Sequence, residues 1–345
     1  MALDEKRAAN TARGIWWDRS FSVVSGCNWR NEGGPPRECE ACWMESYAKM
    51  RPSIRGCAAG KRWDEVATHP ERLAWLKPTG PALVWLTSIQ GDLFHPEVPN
   101  EFIADVLHRA YDMNFCRAHA HAPLAPHRVA ILTKRYGRAA RWFRETTPQL
   151  PADLPIPARE ARTPWLLLMF SAGTQAMADR ACAAAATLPA GLRWGLHVEP
   201  LIERVKLPLD EWTWHKRLDG SHDLGAPSGH VAATVYSSGT WFTRNQNGVG
   251  GENGTERNFD SAVSEATAAV RRAGHYAGPV RASWVVCGSE NGSRARPFDL
   301  AWARSIQAQC AAAGVPYWFK GAHKQVVPPE MAVRQTPWTS EEPAR

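Results

Sequence analysis

Apolar positions along the chain gather into short, nearly continuous runs. "FSVVSGC" (21–27), "PALVWLTSIQGD" (81–92), "HRVAILTKR" (127–135), "PWLLLMFSAGT" (164–174), "LRWGLHVEP" (192–200), "ASWVVCGSENG" (282–292) and "VPYWFKG" (315–321) each close in polar or glycine-containing turns. Runs of this length, bounded by turns, read as strands buried on both faces. Between them the apolar residues recur at helical spacing. "PNEFIADVLHRAYDM" follows Asp92, "YGRAARWFRE" follows Arg135, "QAMADRACAAAATL" follows Thr174, and "DLAWARSIQAQCAAAG" precedes the last run. Asn100 and Asp299 stand where helix N-caps are needed, and Gly314 where a helix should end.

Strands alternating with helices call for a parallel sheet. Six or seven such units predict an α/β fold built as a full or partial (β/α) barrel. In that architecture functional groups collect at the C-terminal ends of the strands. Those ends carry Cys27, Asp92, Lys134, Arg135, Glu199 and Glu290. This concentration of polar groups favours a barrel over a doubly wound sheet.

Two stretches break the rhythm. Residues 148–164 hold five prolines and are expected to form an extended loop. Residues 206–280 are longer than a βα connection needs: a β-like "HVAATVYSSGTWF", a glycine-rich "NQNGVGGENG" and a helical "FDSAVSEATAAVRRAG" follow one another. The glycines miss the G-x-G-x-x-G pattern, because its last position falls on Asn253, so a loop is the simpler reading than a phosphate cradle. The chain therefore divides into an N-terminal part of the barrel (1–205), an insertion (206–280) and C-terminal barrel units with a tail (281–345).

A chain of 345 residues, 44% hydrophobic and 22% charged, has the composition of a globular protein. The longest wholly apolar run, "WLLLMF", is too short to span a bilayer, and "MALDEKRAAN" lacks the apolar core of a signal peptide. A cytoplasmic protein with no membrane partner is expected. In that compartment its eight cysteines do not form a disulfide framework. The net charge of +7 permits a polyanionic partner, DNA or RNA, and some of the seventeen tryptophans could stack on bases. Arg138, Arg141 and Arg144, at i, i+3 and i+6 of one predicted helix, share a face that is either solvated or set against nucleic acid.

"GCNWRNEGGPPRECEACWMESYA" (26–48) contains the only tight cysteine group: Cys27, Cys39 and Cys42, the last two at C-x-x-C spacing. A structural zinc site would need a fourth ligand, such as Cys57. A [4Fe–4S] cluster held by three thiolates would keep one iron open, as a cluster that binds S-adenosylmethionine (SAM) requires. The third possibility is no metal. Cys57, Cys116, Cys182, Cys287 and Cys310 stand singly and read as small buried hydrophobes. "HAHAPLAPH" (119–127) reads as an exposed loop.

Five blocks, in order, carry a resemblance: "SGC…CEACW", "VWLTSIQGDLFHPEVP", "ILTKR", "HVEPL" and "WVVCGSENGSRARPFDLAWARSIQAQCAAAGVPYWFK". They are similar to blocks of the phage Gp37/Gp68-like family, proteins of unknown function with a three-cysteine, radical-SAM-like motif. Two departures stand out. Eleven residues separate Cys27 from Cys39, where radical SAM enzymes usually have C-x₃-C-x₂-C, and the family's GGES is "CGSE" here.

The resemblance implies a barrel of the radical SAM type. Cys27, Cys39 and Cys42 would ligate a [4Fe–4S] cluster, their sulfurs converging on one point at the barrel mouth, with SAM on the fourth iron. An electron donor such as flavodoxin or ferredoxin would reduce it. The resulting 5′-deoxyadenosyl radical would take a hydrogen from a substrate, a nucleic-acid base or nucleotide being the first expectation, for modification or repair. Around SAM the resemblance implies Asp92, Lys134, Glu199, Gly288, Glu290 and Arg296. Glu199 and Glu290 would accept from the amine or ribose. Lys134, Arg135, Arg296 and Lys320 would meet carboxylate or phosphate. Asp92 would orient the ribose, and Gly288 would let backbone approach the ligand. Asp92, Lys134, Glu199 and Glu290 should share one cavity with the thiols. For each of the charged residues the plainer alternative is a salt bridge closing the barrel end. The rival for the whole chain is a zinc- or Fe–S-containing nucleic-acid-binding phage protein without radical chemistry.

Overall fold

The structure is a computed structural model describing residues 2–29, 36–50, 63–120, 124–146, 165–189, 192–207 and 282–338, together with residue 209 and the strands of 213–255. Its strands are β1 (Arg19–Ser20), β2 (Val24–Ser25), β3 (Ala67–Thr68), β4 (Val84–Thr87), β5 (Arg128–Thr133), β6 (Leu166–Ser171), β7 (Trp194–Val198), β8 (Thr213–Lys216), β9 (His222–Gly225), β10 (Val231–Val235), β11 (Thr240–Thr243), β12 (Asn253–Thr255), β13 (Val285–Gly288) and β14 (Tyr317–Gly321). The α-helices are α1 (Leu3–Ala12), α2 (Trp43–Met50), α3 (Asn100–Ala118), α4 (Tyr136–Thr146), α5 (Gln175–Ala185) and α6 (Leu300–Ala313).

Seven strands form one sheet in the order β1-β4-β5-β6-β7-β13-β14, with every pair parallel. The sheet is curled into a half-barrel, as its side-chain layers show. Successive residues of a strand point to opposite faces. On the concave face Leu86, Ala130, Leu167, Met169, Trp284, Val286 and Trp318 form one buried cluster around Trp16. Leu86 and Trp318 lie five strands apart in the sheet order, so only a curled sheet brings them into one cluster. The intervening residues, among them Trp85, Ile131, Phe170, Leu196 and Phe319, face the other way and pack with Val106, Phe143, Met177 and Ile306 of the surrounding helices. Burial on both faces is why these strands read as continuous apolar runs.

The N-terminal segment spans the open side of the half-barrel. The Gly14 carbonyl accepts from Trp318 Nε1 at 2.9 Å, and Asp18 N donates to the Val84 carbonyl at 2.9 Å, linking the last strand to β4. The hydrophobic pattern predicts no element before residue 21, yet α1 and β1 form there. The expected first strand is also redrawn. Val24–Ser25 leaves the main sheet and pairs antiparallel with Ala67–Thr68, while the short β1 just before it joins β4. Phe21, Val23 and Val24 are all buried, so hydrophobicity gave no sign of the point where the chain departs.

Asp299 and Gly314 cap α6 as expected: the Asp299 carboxylate accepts from Ala301 N at 2.8 Å, and Gly314 is left-handed with φ of 60°. Asn100 is instead the first residue of α3, and Pro99 takes the extended cap position. Strands β8 to β12 form a separate five-stranded antiparallel sheet in the order β12-β11-β10-β9-β8, which includes the β-like run at Val231. The proline-rich stretch 148–164, the segment 259–274 and Cys57 lie outside the described residues. No helix among the described residues is long and apolar enough to cross a membrane.

Candidate functional site

The C-terminal strand ends hold the polar groups, and the cysteine segment is pinned across them. Cys27 N donates to the Trp63 carbonyl at 2.9 Å, and Gly26 N to that of Gln90 at 3.0 Å. Cys39 ends a short 3₁₀ turn (Arg37–Cys39), and Cys42 directly precedes α2. Buried Glu38 accepts from Thr174 Oγ1 at 2.9 Å, Arg37 pairs with Glu203 at 3.0 Å, and Arg296 Nη1 donates to the Arg37 carbonyl at 2.9 Å. The segment is therefore tied to the ends of β6, β7 and β13, which fixes two of the three thiols over the half-barrel.

Two adjoining chambers lie beneath it. The first, about 600 Å³, is lined by Cys27, Cys39, Cys42, Asp92, Lys134 and Arg135. The second, about 260 Å³, is lined by Cys39, Cys42, Lys134, His197, Glu199, Glu290 and Lys320, with the Trp17 indole beside them. Lys134 belongs to both. The four strand-end residues expected in one cavity are thus on one face of the sheet but divided: Asp92 faces the first chamber, Glu199 and Glu290 the second.

The thiols share the first chamber without closing on one ion-sized point. Among the described residues no three of His, Cys, Asp and Glu could hold a single metal ion. Burial pushes the Cys27 thiol up to about 12, with Asp92 and the other two thiols adding to the rise and Arg135 opposing it. Burial raises the Cys39 thiol too, against Lys134. Burial alone would lower the Lys134 ammonium, but Cys39, Cys42, Cys27 and Asp92 together hold it above its ordinary value. Burial therefore keeps the Cys27 and Cys39 thiols protonated at neutral pH, so any metal bound there would have to displace their protons.

Asp92 is engaged by the fold. It accepts from Thr133 Oγ1 at 2.8 Å, Lys134 N at 2.9 Å and Phe94 N at 2.9 Å, clamping the end of β4 to that of β5. Arg135 donates to the Asn28 carbonyl at 2.6 Å and stacks 3.2 Å above the Trp29 ring. Glu290 accepts from Arg296 Nε at 2.8 Å and Arg296 N at 2.9 Å, so this pair braces the cysteine segment through Arg37. For Asp92, Glu290 and Arg296 the internal contact is what the geometry displays.

Glu199 and Lys320 pair inside the second chamber, Nζ to Oε2 at 2.6 Å. Gly288 makes the approach possible: a Cβ there would lie 3.1 Å from Lys320 Cβ and 3.4 Å from Glu199 Cδ. His197 Nε2 is 3.3 Å from the same Glu199 oxygen, but neither ring nitrogen forms an aligned hydrogen bond. Burial first, then Lys320 and Lys134, hold this imidazole well below its ordinary range, so it is neutral. Neither His197 nor Trp17 is among the residues that the sequence pattern assigns to the site. His197 could have been found, because it stands two residues before Glu199 and so points to the same side of the chain. Nothing in the sequence marks Trp17.

The arginine face of α4 is split. Arg138 donates to the carbonyls of His95 and Val98 and to Asn100 Oδ1, fixing the start of α3. Arg141 and Arg144 are exposed.

Residues 12–335 match a family described as a protein of unknown function, DUF5131. No curated protein and no solved structure matches the chain.

Proposed function

The chain belongs to the DUF5131 family, and from the strand-end geometry we propose that it is a radical-SAM-type enzyme of the phage Gp37/Gp68-like kind. The observation that carries this reading is the first chamber: three thiols and one ammonium enclose about 600 Å³ at the C-terminal end of a parallel half-barrel. The donor set fits a cluster better than a lone ion. A zinc ion needs its sulfurs at about 2.3 Å from one centre, which the described residues do not supply. An iron–sulfur cluster takes its thiolates on separate irons and so bridges thiols spread around a cavity.

Cys27, Cys39 and Cys42 would hold a [4Fe–4S] cluster, which when bound supplies one electron from a flavodoxin- or ferredoxin-class donor to cleave SAM. The protein's own groups do the rest. The Lys134 ammonium is held in place through its backbone by Asp92 and offers a cation to the SAM carboxylate. The Glu199–Lys320 pair presents an acceptor and a donor side by side, matched to the edge of a polar ring or an amide. Trp17 lies 5.0 Å from Lys320 Nζ and offers a stacking face. Leu86, Ile89 and Leu132 wall the second chamber and limit water. The substrate would sit there, against the Cys39–Cys42 side of the first chamber.

Anaerobic reconstitution with iron and sulfide should load one cluster per chain, and added reductant should then convert SAM to 5′-deoxyadenosine. Zinc without acid-labile sulfide in the purified protein would replace this reading with a metal-stabilised binding protein.

A further inference from the structure

A third cavity, about 720 Å³, opens between α4 and α5, which pack against each other. Among the described residues its lining includes Lys134, Arg135, Arg138, Arg141, Arg144 and Arg180, and no carboxylate. Over the whole chain Lys and Arg number 41 against 34 Asp and Glu, so six cations with no acid is a local departure from the average surface. Arg135 and Arg138 are engaged by backbone carbonyls. The outer three are not held by carboxylates within the groove. Arg141 makes no ion pair or hydrogen bond among the described residues. Among the described residues, Arg144 has only its chain neighbour Glu145 at 4.0 Å, and Arg180 only the Ala176 carbonyl of its own helix at 3.3 Å.

The groove leads to the thiols. Lys134, Arg135 and Trp29 line both it and the first chamber. Trp29 is half-buried there, one ring face against the Arg135 guanidinium.

We propose that this groove binds a single-stranded polynucleotide, its phosphates on Arg141, Arg144 and Arg180 and a base on Trp29. Phosphates repeat along such a strand, and the three arginines repeat along two adjacent helices. Guanidinium groups meet phosphate oxygens bidentately. An indole at the inner end suits a base face, which a duplex hides within its stack and a single strand exposes. The site is a recess, whereas a bilayer surface would need a flat or protruding patch. Binding here needs no cluster chemistry. Delivery of the strand into the first chamber rests on the enzymatic reading above.

Fluorescence anisotropy with a labelled mixed-sequence DNA strand, its RNA counterpart and the corresponding duplex, at several salt concentrations, tests the proposal on the full chain. The single strands should bind more tightly than the duplex. The R141A/R144A/R180A variant should lose about tenfold or more in affinity at low salt, and its salt slope should fall by about two, since each phosphate contact on a single strand contributes about 0.7. Trp29→Ala should weaken binding about tenfold with the salt slope unchanged. A control variant, K77A/R204A/K206A, removes the same charge from exposed positions away from the groove and should leave the slope as it was. The proposal is overturned by absence of binding, by tighter binding of the duplex, by equal binding of polyglutamate or anionic vesicles, or by a control that weakens as much as the groove variant. Cluster content, read separately as iron and sulfide, keeps the two readings apart. A loaded cluster without strand binding sinks only the groove, and strand binding without a cluster sinks only the enzyme.

Discussion

Lys320 Nζ lies 2.6 Å from Glu199 Oε2, although β13 separates the two strands that carry them. The pair spans the intervening strand because Gly288 leaves no side chain between them. Both side chains are largely shielded, at 17% and 11% exposure, so this is not a surface pair that solvent screens. Removing one partner of a buried pair leaves a charge without its counterion, at a cost of about 3–5 kcal/mol, while removing both costs less. Lys320→Met and Glu199→Gln should each lower unfolding free energy in urea, and the double variant should recover part of the loss. Lys320→Met should also raise the His197 pKa, because Lys320 helps to hold that imidazole down. An NMR titration reads this, and an unmoved His197 would show that burial alone sets its state.

The three thiols should act as one unit. Changing Cys27, Cys39 or Cys42 to Ala should abolish the visible absorption of the reconstituted protein. Cys116→Ala, exposed on α3, should leave it intact. Retention of full iron and sulfide by the triple variant would dispose of the cluster.

Much of this frame was legible in the sequence. Six of the seven sheet strands lie within apolar runs, because burial on both faces writes a continuous signal. The Asp299 and Gly314 caps were legible for a local reason: each is fixed by its own backbone and side chain. The misses have equally local causes. Within residues 19–25 the pairing partner changes from β4, for the exposed Arg19–Ser20, to β3, for the buried Val24–Ser25, and no pattern records a change of partner. Asn100 is a good capping residue, but Pro99 before it already has the extended conformation a cap needs. The site was legible as a set of strand ends and illegible as contacts. Glu290 with Arg296, and Asp92 with Thr133, satisfy each other in ways that spacing does not reveal.

The loops after β6 and β7 touch at Gly173. A Cβ there would lie 1.7 Å from the Pro200 carbonyl oxygen, and Ile202 N donates to the Gly173 carbonyl at 3.2 Å. Gly173→Ala must push apart the loop holding Thr174, which anchors Glu38, and the loop holding Glu199. Overpacking of this kind costs about 1–3 kcal/mol. A lower melting temperature and weaker SAM binding are expected together. Gly137→Ala in α4 meets nothing within 4 Å, and should instead stabilise by about 0.5–1 kcal/mol. Equal effects at the two glycines would mean that the close approach to Pro200 is not what constrains Gly173.

Acid should destabilise the fold through His127, well away from the thiols. Its Nδ1 accepts from Leu83 N at 3.0 Å, so that nitrogen carries no proton. Its Nε2 lies 3.1 Å from the Lys77 carbonyl and donates to it, which defines a neutral ring. Burial, reinforced by the Arg117 guanidinium 3.2 Å away, pushes the imidazole down to about 4, with the Lys77 carbonyl opposing. An ordinary histidine titrates near about 6.5. Between those values the unfolded chain binds more protons than the folded one, so stability rises with pH across the window. The contribution is complete above the unfolded value and is lost as pH falls toward the folded one. At 1.36 kcal/mol per unit, about 2 kcal/mol should disappear between about pH 7 and pH 5. His95 and His197 are shifted in the same direction, so the total loss does not isolate His127. His127→Asn does: its amide oxygen can accept from Leu83 N and does not titrate. Urea unfolding at the two pH values should show a smaller pH difference for the variant, whatever its absolute stability. An undiminished difference would assign the acid sensitivity to the other buried histidines.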